Sequence, residues 1–379
     1  MDFNLTEEQK MIRQAAREFA QNELLGGVIE RDEKQLFPVE EMKKLGALGF
    51  LGMMVDPAYG GAGLDTISYV LAMEEISKVD ASASVCMSVN NSLVCWGLQE
   101  YGTEAQKQQY LVPLAKGEIL GAFLLSEPEA GSDATSQHTF AEDCGDHYLV
   151  TGTKNWITNG NSASVYLVMA QTHPEKGSHG INTLIVEKSW PGVTVGPKEN
   201  KMGIRGSDTH SILFQDVKVP KENRIGADGF GFKYAMRTLN GGRIGIAAQA
   251  LGIASGAYER SLQYSKERKA FGEEISKLQA IQFKLADMAT RIEAARLLVY
   301  KAAWEKDQGL DYGLSASMAK LFCSETAMWV TTEAVQVHGG YGYVKEYHVE
   351  RMMRDAKITQ IYEGTSEVQR IVISRNILR

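Results

Sequence analysis

The chain has little cysteine and no paired cysteine motif. Cys86, Cys95, Cys144 and Cys323 are spread over 379 residues without a Cys-x-x-Cys step. That spacing argues against a disulfide framework or a Cys-based zinc site, and reads as buried thiols in a reducing compartment. His-Glu-x-x-His is absent and the seven histidines are scattered, which speaks against a His-rich metal site. No Gly-x-Gly-x-x-Gly fingerprint, Walker A loop or Gly-x-Ser-x-Gly elbow occurs, so a nicotinamide Rossmann site, a P-loop and a plain serine hydrolase lose weight. Apolar runs stay short of the ~20 residues a membrane helix needs. Met1–Glu8 carries no basic or Arg/Ser-rich leader, so the expected address is the cytoplasm.

Excess positive charge is also missing. Lys plus Arg number 40 against 47 Asp plus Glu, a net charge of −7, which disfavours nucleic acid or anionic membrane as the main partner. What is present is an ordinary globular balance, 44% hydrophobic and 23% charged, in a chain long enough for two or three domains.

Three textures follow one another. Residues 1–120 read as a helical domain. Thr6 with Gln9 resembles a capping box, and Ile12, Ala15, Ala16, Phe19 and Ala20 continue at helical spacing. A turn-rich stretch, Pro57 to Gly63, interrupts the pattern, and helices resume over 67–79, 83–101 and 105–114. Residues 121–228 carry short β-type runs, such as Val165-Tyr166-Leu167-Val168-Met169 and Ser211-Ile212-Leu213-Phe214, with a hairpin loop at Asp143–Asp146. Several strands without intervening helices imply an antiparallel sheet or barrel. Residues 229–379 return to helix. Ile281, Leu285, Met288, Ile292, Ala295 and Val299 step by four and three, the stripe of a helix bundle. The methionine pairs Met53-Met54 and Met352-Met353 read as packing. The expected fold is therefore mostly α with a central β domain.

Four local clusters stand out: Leu124 to Asp133, Asn155 to Gly160, Gln336 to Tyr343 and Tyr362 to Glu367. Each has a plain reading. Ser-Asp and Asn-Gly steps are turn chemistry, Thr365 and Ser366 can cap the last helix, and a Glu before Gly is usually a solvated loop carboxylate.

Taken in this order, the clusters resemble the acyl-CoA dehydrogenase family over essentially the whole chain. The segments Ser126–Asp133 and Ile361-Tyr362-Glu363-Gly364-Thr365 are the most specific. Thr238 to Ala247, followed by Gln249-Ala250-Leu251-Gly252, looks like the short-chain, butyryl-CoA dehydrogenase branch. The resemblance implies FAD and a coenzyme A thioester. Dehydrogenating a CH₂–CH₂ unit needs a base for the α proton, which the thioester carbonyl acidifies. It also needs an acceptor for the β hydride, which no side chain provides and a flavin does. A carboxylate in a closing apolar pocket gains basicity by desolvation.

The family's roles, carried over, make Glu363 the base, with its backbone N–H polarising the thioester oxygen. Gly364 would let substrate approach the backbone. Phe123, Leu124, Leu125 and Ser126 through Ser132 would line the flavin. Trp156, Ile157 and Thr158 would cover its other face, Trp156 as a shield and Thr158 near the reactive ring nitrogen. Ser132, Asn240, Gly241, Gly242 and Arg243 would meet the coenzyme A thioester, although Arg243 reads equally as an internal salt-bridge residue. A neighbouring subunit would add Arg268 with Phe271 at the pyrophosphate, Gln279 at the adenosine, and Gln336, Val337, His338, Gly339 and Gly340 at phosphate. The plain reading of Arg268 is a solvated helix-end cation. Thr365, Ser366 and Glu367 would meet the cofactor at a helix start.

Some relatives, including isovaleryl- and long-chain types, carry their base at the position matching Gly242. The lack of a carboxylate there, with Glu363 present, favours the straight-chain short- or medium-chain branch. Asn240 stands where many short-chain members have Asp, and His338 is unusual inside the Gly-Gly segment. The resemblance further implies a homotetramer built as a dimer of dimers, and electron delivery to an electron-transferring flavoprotein. Medium- or branched-chain dehydrogenation, an acyl-CoA oxidase, and a non-catalytic acyl-CoA-binding relative are the alternatives.

Overall fold

The computed structural model describes residues 4–378. Eight helices come first: α1 (Glu7–Phe19), α2 (Val28–Lys34), α3 (Val39–Ala47), α4 (Thr66–Ser77), α5 (Ala81–Ser88), α6 (Trp96–Tyr101), α7 (Glu104–Gln106) and α8 (Val112–Ala115). The expected capping box opens α1: the Gln9 N–H donates to Thr6 Oγ1 at 3.2 Å, and the Thr6 N–H donates to Gln9 Oε1 at 3.1 Å. The continuous helix expected over 83–101 is broken by a π-helical segment, Val89–Cys95. Such bulges re-aim side chains, and here Asn90 donates to Leu51 O and Leu114 O while accepting from the Gly121 N–H. One amide thus ties two helical segments to the start of the sheet.

Eight strands follow: β1 (Gly121–Leu124), β2 (Phe140–Asp143), β3 (His147–Thr158), β4 (Val165–Gln171), β5 (Ile181–Glu187), β6 (Val193–Lys198), β7 (Thr209–Pro220) and β8 (Arg224–Ile225). They pair in the order β6-β7-β3-β2-β4-β5-β8, with β1 on β4. The sheet is mixed, because β1 and β2 each run parallel to β4 while the other pairs are antiparallel. Only short hairpins force antiparallel neighbours, and β1 enters from the helices rather than by a hairpin. Strand β4 is buried at every position. Val165, Leu167 and Met169 pack on Val94, Leu98 and Tyr234 from the helices, whereas Tyr166, Val168 and Ala170 pack on Val150 and Phe214 inside the sheet. A strand covered on both faces reads as the continuous apolar run seen in its sequence.

The hairpin at Asp143–Asp146 forms as expected, and Cys144 sits in its turn. That exposes Cys144, while Cys86, Cys95 and Cys323 are buried, so the expectation of four buried thiols holds for three.

Helix α9 (Gly231–Glu267) then runs for 37 residues and is buried throughout its middle, Gly241–Ala257. A small hairpin, β9 (Lys269–Ala270) and β10 (Glu273–Glu274), leads into α10 (Gln279–Asp307), α11 (Gly313–His338), α12 (Val349–Ile358) and α13 (Ser366–Ile377). Of the α10 stripe, Leu285, Met288, Ile292, Ala295 and Val299 are buried and Ile281 packs against the same core. Met53 and Met352 are core residues. Among the described residues no helix is long and apolar enough to cross a membrane.

Candidate active site

The chain reverses between α12 and α13 through Glu363 and Gly364, whose φ angles are +51° and +93°. Two left-handed residues in sequence need support, and every neighbouring helix gives some. Gln369 Nε2 from α13 donates to Glu363 O at 3.3 Å and to Gly364 O at 2.9 Å. Lys320 Nζ from α11 donates to the same Gly364 O at 2.7 Å. The Tyr362 hydroxyl donates to Gln249 Oε1 on α9. Thr365 caps α13 by accepting from the Val368 N–H at 3.2 Å, the plain role expected of it.

This turn aims the Glu363 side chain inward. Its Oε2 is buried and has no hydrogen-bond partner. It lies on the bare face of Gly242, where a β-carbon would overlap Oε2 and come within 2.7 Å of Leu93 Cδ2. Burial drives the carboxyl up to about 7, against the nearby charges of Lys320 and Arg243, which pull it down. Arg243 is itself buried and donates to Asn240 Oδ1 at 2.7 Å and Ser317 Oγ at 3.4 Å. Among the described residues it forms no ion pair, so the internal salt bridge considered for Arg243 is not made. Its Nε lacks any partner. Glu363, Gly364, Asn240, Gly241, Gly242 and Arg243 thus gather into one region.

The strand-borne residues form another group. Leu124 ends β1, and the loop after it is pinned by the buried Lys154, whose Nζ donates to Leu125 O at 3.0 Å, Glu127 Oε1 at 2.7 Å and Gln137 Oε1 at 3.0 Å. The Asn155 N–H donates to Ser126 O at 2.9 Å, joining that loop to β3. Phe123, Leu125 and Ser126 are half-buried, and Ser132 is exposed. The β3–β7 register shifts between Lys154 and Ile157, so Trp156 adopts φ +61° and stands 61% exposed between buried Lys154 and Ile157. Thr158 is half-buried beside it. A large exposed indole on a strained bulge is costly without a function.

Arg268, Val337, His338, Gly339 and Gly340 come together elsewhere, around a cleft of about 580 Å³ that none of the residues around Glu363 lines. Arg268 follows the end of α9, is exposed, and its guanidinium lies 5.3 Å from the Tyr341 ring centre. His338 stacks on Tyr264 at 4.3 Å, and its Nδ1 lies 2.8 Å from Ala334 O. Phe271 tips the β9–β10 hairpin at φ +55° and is 94% exposed, outside the cleft lining. Gln279 and Gln336 are exposed.

Several of these features fit a flavin nucleotide. Asn155 Oδ1 next to Trp156, and Ser366 Oγ in the first turn of α13, are buried polar atoms without partners. Orphaned polar atoms are rare in folded proteins and mark places where a ligand completes the bonding. Sequence reasoning passed over Lys320, Gln369 and Leu93. Lys320 had a signal: it interrupts the apolar face Ala316, Ala319, Cys323, Ala327 of α11, where a lysine is out of place.

Comparison with known proteins places the chain among close relatives. Family models described as the N-terminal, middle and C-terminal domains of acyl-CoA dehydrogenase match residues 6–118, 122–217 and 229–378. The short-chain specific acyl-CoA dehydrogenase of Clostridium acetobutylicum is 53% identical, with all of both chains covered. The solved butyryl-CoA dehydrogenase of Megasphaera elsdenii is 51% identical at a TM-score of 0.99, again over all of both chains. A chain in the structure described as "Electron transferring flavoprotein of Acidaminococcus fermentans: Towards a mechanism of flavin-based electron bifurcation" is 54% identical, with a TM-score of 0.99 and full coverage of both.

Proposed function

This chain belongs to the acyl-CoA dehydrogenase family, whose members are FAD-dependent oxidoreductases, and from that premise we propose that Glu363 is the base that takes the α proton of a short-chain acyl-CoA. The reaction is α,β-dehydrogenation to the trans-2-enoyl-CoA, with butyryl-CoA as the preferred substrate. The observation that carries the reading is the Glu363 carboxylate itself: buried, unpartnered at Oε2, and pushed up by burial to about 7. A base with that proton affinity is about half ionised at neutral pH and far more basic than a solvated carboxylate.

When bound, the flavin supplies the two-electron acceptor that no side chain can replace. The protein's own groups do the rest. The turn at Glu363–Gly364 presents the carboxylate beside Gly242 and offers the Glu363 N–H to the thioester oxygen, where negative charge develops as the α proton leaves. Leu93 helps keep water from the carboxylate, which preserves its basicity. Phe123 to Ser132 and Trp156 to Thr158 hold the flavin, with Thr365, Ser366 and Glu367 at the start of α13. Asn240 and Arg243 steady the coenzyme A side, as does Ser132.

The names of the relatives support an electron-transferring flavoprotein as the partner that takes the electrons onward. A homotetramer is supported by the outer face of α10, where Phe283, Leu297 and Trp304 are 60%, 51% and 53% exposed, and by the bare Phe271. In that assembly Arg268 and the Val337–Gly340 cleft serve the flavin of the adjoining subunit. The cytoplasm is the proposed location.

Anaerobic titration of the flavin absorbance with saturated acyl-CoAs of graded length tests the reading. Butyryl-CoA is expected to bleach the flavin fastest, with longer chains slower. Preferential bleaching by a medium or branched chain would reassign the substrate. Peroxide formation in air at the bleaching rate would make the protein an oxidase.

A further inference from the structure

We propose that Lys320 is a positioning residue for Glu363: from α11 it grips the Gly364 carbonyl, fixes the left-handed turn that aims the carboxylate, and sets the charge beside it. This rests on the reading of Glu363 as the base.

The geometry is specific. Lys320 is fully buried, and its hydrogen bond goes to Gly364 O at 2.7 Å, across 44 residues of sequence. Gln369 Nε2 donates to that same oxygen at 2.9 Å, so both lone pairs of one carbonyl are taken. Each donor comes from a different helix. The Gly364–Thr365 peptide plane therefore cannot rotate without breaking two bonds, and Gln369 also holds the Glu363 carbonyl at 3.3 Å, so both peptide planes that follow Glu363, itself at φ +51°, are pinned. Among the described residues no carboxylate ion-pairs with Lys320. A buried ammonium is expensive, and a methionine would fill the same space. The charge itself therefore needs a use.

The groups around Glu363 limit what that use can be. Arg243 from α9 and Lys320 from α11 bring positive charge. Tyr69 from α4, whose hydroxyl bonds Ser88 Oγ at 3.0 Å, and Tyr362 from the turn itself are neutral phenols. Gln369 on α13 is neutral, and Glu367 on the same helix acts weakly on Lys320 from the exposed side. Burial lowers Lys320 to about 7, and the Glu363 charge opposes that drop. Each group is thus the other's nearby compensation, and removing the ammonium raises the proton affinity of the carboxylate.

Holoenzyme carrying Lys320→Met, Lys320→Gln or Lys320→Arg tests this. The readouts are folding by thermal melt, flavin content, and the pH dependence of flavin reduction by butyryl-CoA. Lys320→Met and Lys320→Gln are each expected to move the acid limb alkaline by about one unit and to lower the rate at pH 7 about fivefold, with KM changing less. Lys320→Arg keeps the charge and is expected to keep the limb. Either charge-removing variant suffices if the other does not fold. A limb left at its wild-type position in a folded, flavin-loaded variant would overturn the proposal. So would a loss of rate without displacement of the limb, which is what a purely structural lysine gives. Glu363→Gln, run alongside, separates the two readings. If it stays active, the base assignment itself is wrong. If it is inactive while the Lys320 variants keep their limb, only the role of Lys320 falls.

Discussion

Glu363 Oε2 rests on Gly242, at the spot where any other residue would place its β-carbon. The two residues are remote in sequence, on a turn and on α9, yet the absent side chain of one makes room for the carboxylate of the other. The crowded atoms, Glu363 Oε2 and Leu93 Cδ2, are both ends of flexible side chains, so a methyl group there shifts the carboxylate and the leucine tip rather than the fold.

Gly242→Ala is therefore expected to leave the melting temperature nearly unchanged while lowering turnover of butyryl-CoA. Displacing a reacting group by about 1 Å costs on the order of 10²-fold. Steady-state kinetics beside a thermal melt check both halves. Unimpaired turnover would mean the carboxylate works from another position.

The pH dependence of kcat/KM follows from the raised Glu363. The base acts as a carboxylate, and its proton leaves near pH 7. The rate is expected to rise about tenfold per unit as pH increases toward 7 and to level off above it. A plateau extending down to pH 5 would show an ordinary carboxylate.

Glu75 makes the opposite case. Burial pushes its carboxyl up, but the hydrogen bond from Arg17, the charge of Lys78 and the hydrogen bond from Arg13 overcome that and hold it at about 2. The three cations stand 3.0, 3.2 and 2.9 Å away. With the folded value below the unfolded one, its stabilisation is complete above about pH 4.5 and fades as pH falls toward 2. Glu75→Gln should cost about 3 kcal/mol at pH 7. Denaturant unfolding at pH 7 and near pH 3 should show that difference shrinking in acid.

Leu297→Glu places a charge in the exposed α10 stripe with Phe283 and Trp304. It is expected to lower the assembly mass in light scattering and to reduce flavin retention together, because the Arg268 cleft would serve a neighbour. Dissociation with full flavin retention would place all cofactor contacts within one chain.

Much of the fold is legible in the sequence. The Thr6–Gln9 box, the apolar run Val165–Met169 of β4 and the α10 stripe are local patterns, and local patterns survive folding. Glu363 stands out as the candidate base only through the order of four motifs, since a Glu before Gly alone reads as a loop. The parallel partners of β4 and the π-helical break at Val89–Cys95 were not legible, because they arise where separate elements meet. Cys144 was misjudged because its exposure follows from a hairpin turn, not from cysteine's usual preference. Lys320 was missed because its importance lies in one carbonyl on another helix connection, which spacing along α11 cannot reveal.

The most direct measurement is anaerobic mixing of Glu363→Gln holoenzyme with butyryl-CoA, followed through the flavin absorbance. The variant is expected to fold, keep its flavin and bind the thioester, while bleaching slows by roughly 10²- to 10⁴-fold or more. Bleaching near the wild-type rate would contradict the account, because some other group would then be taking the α proton.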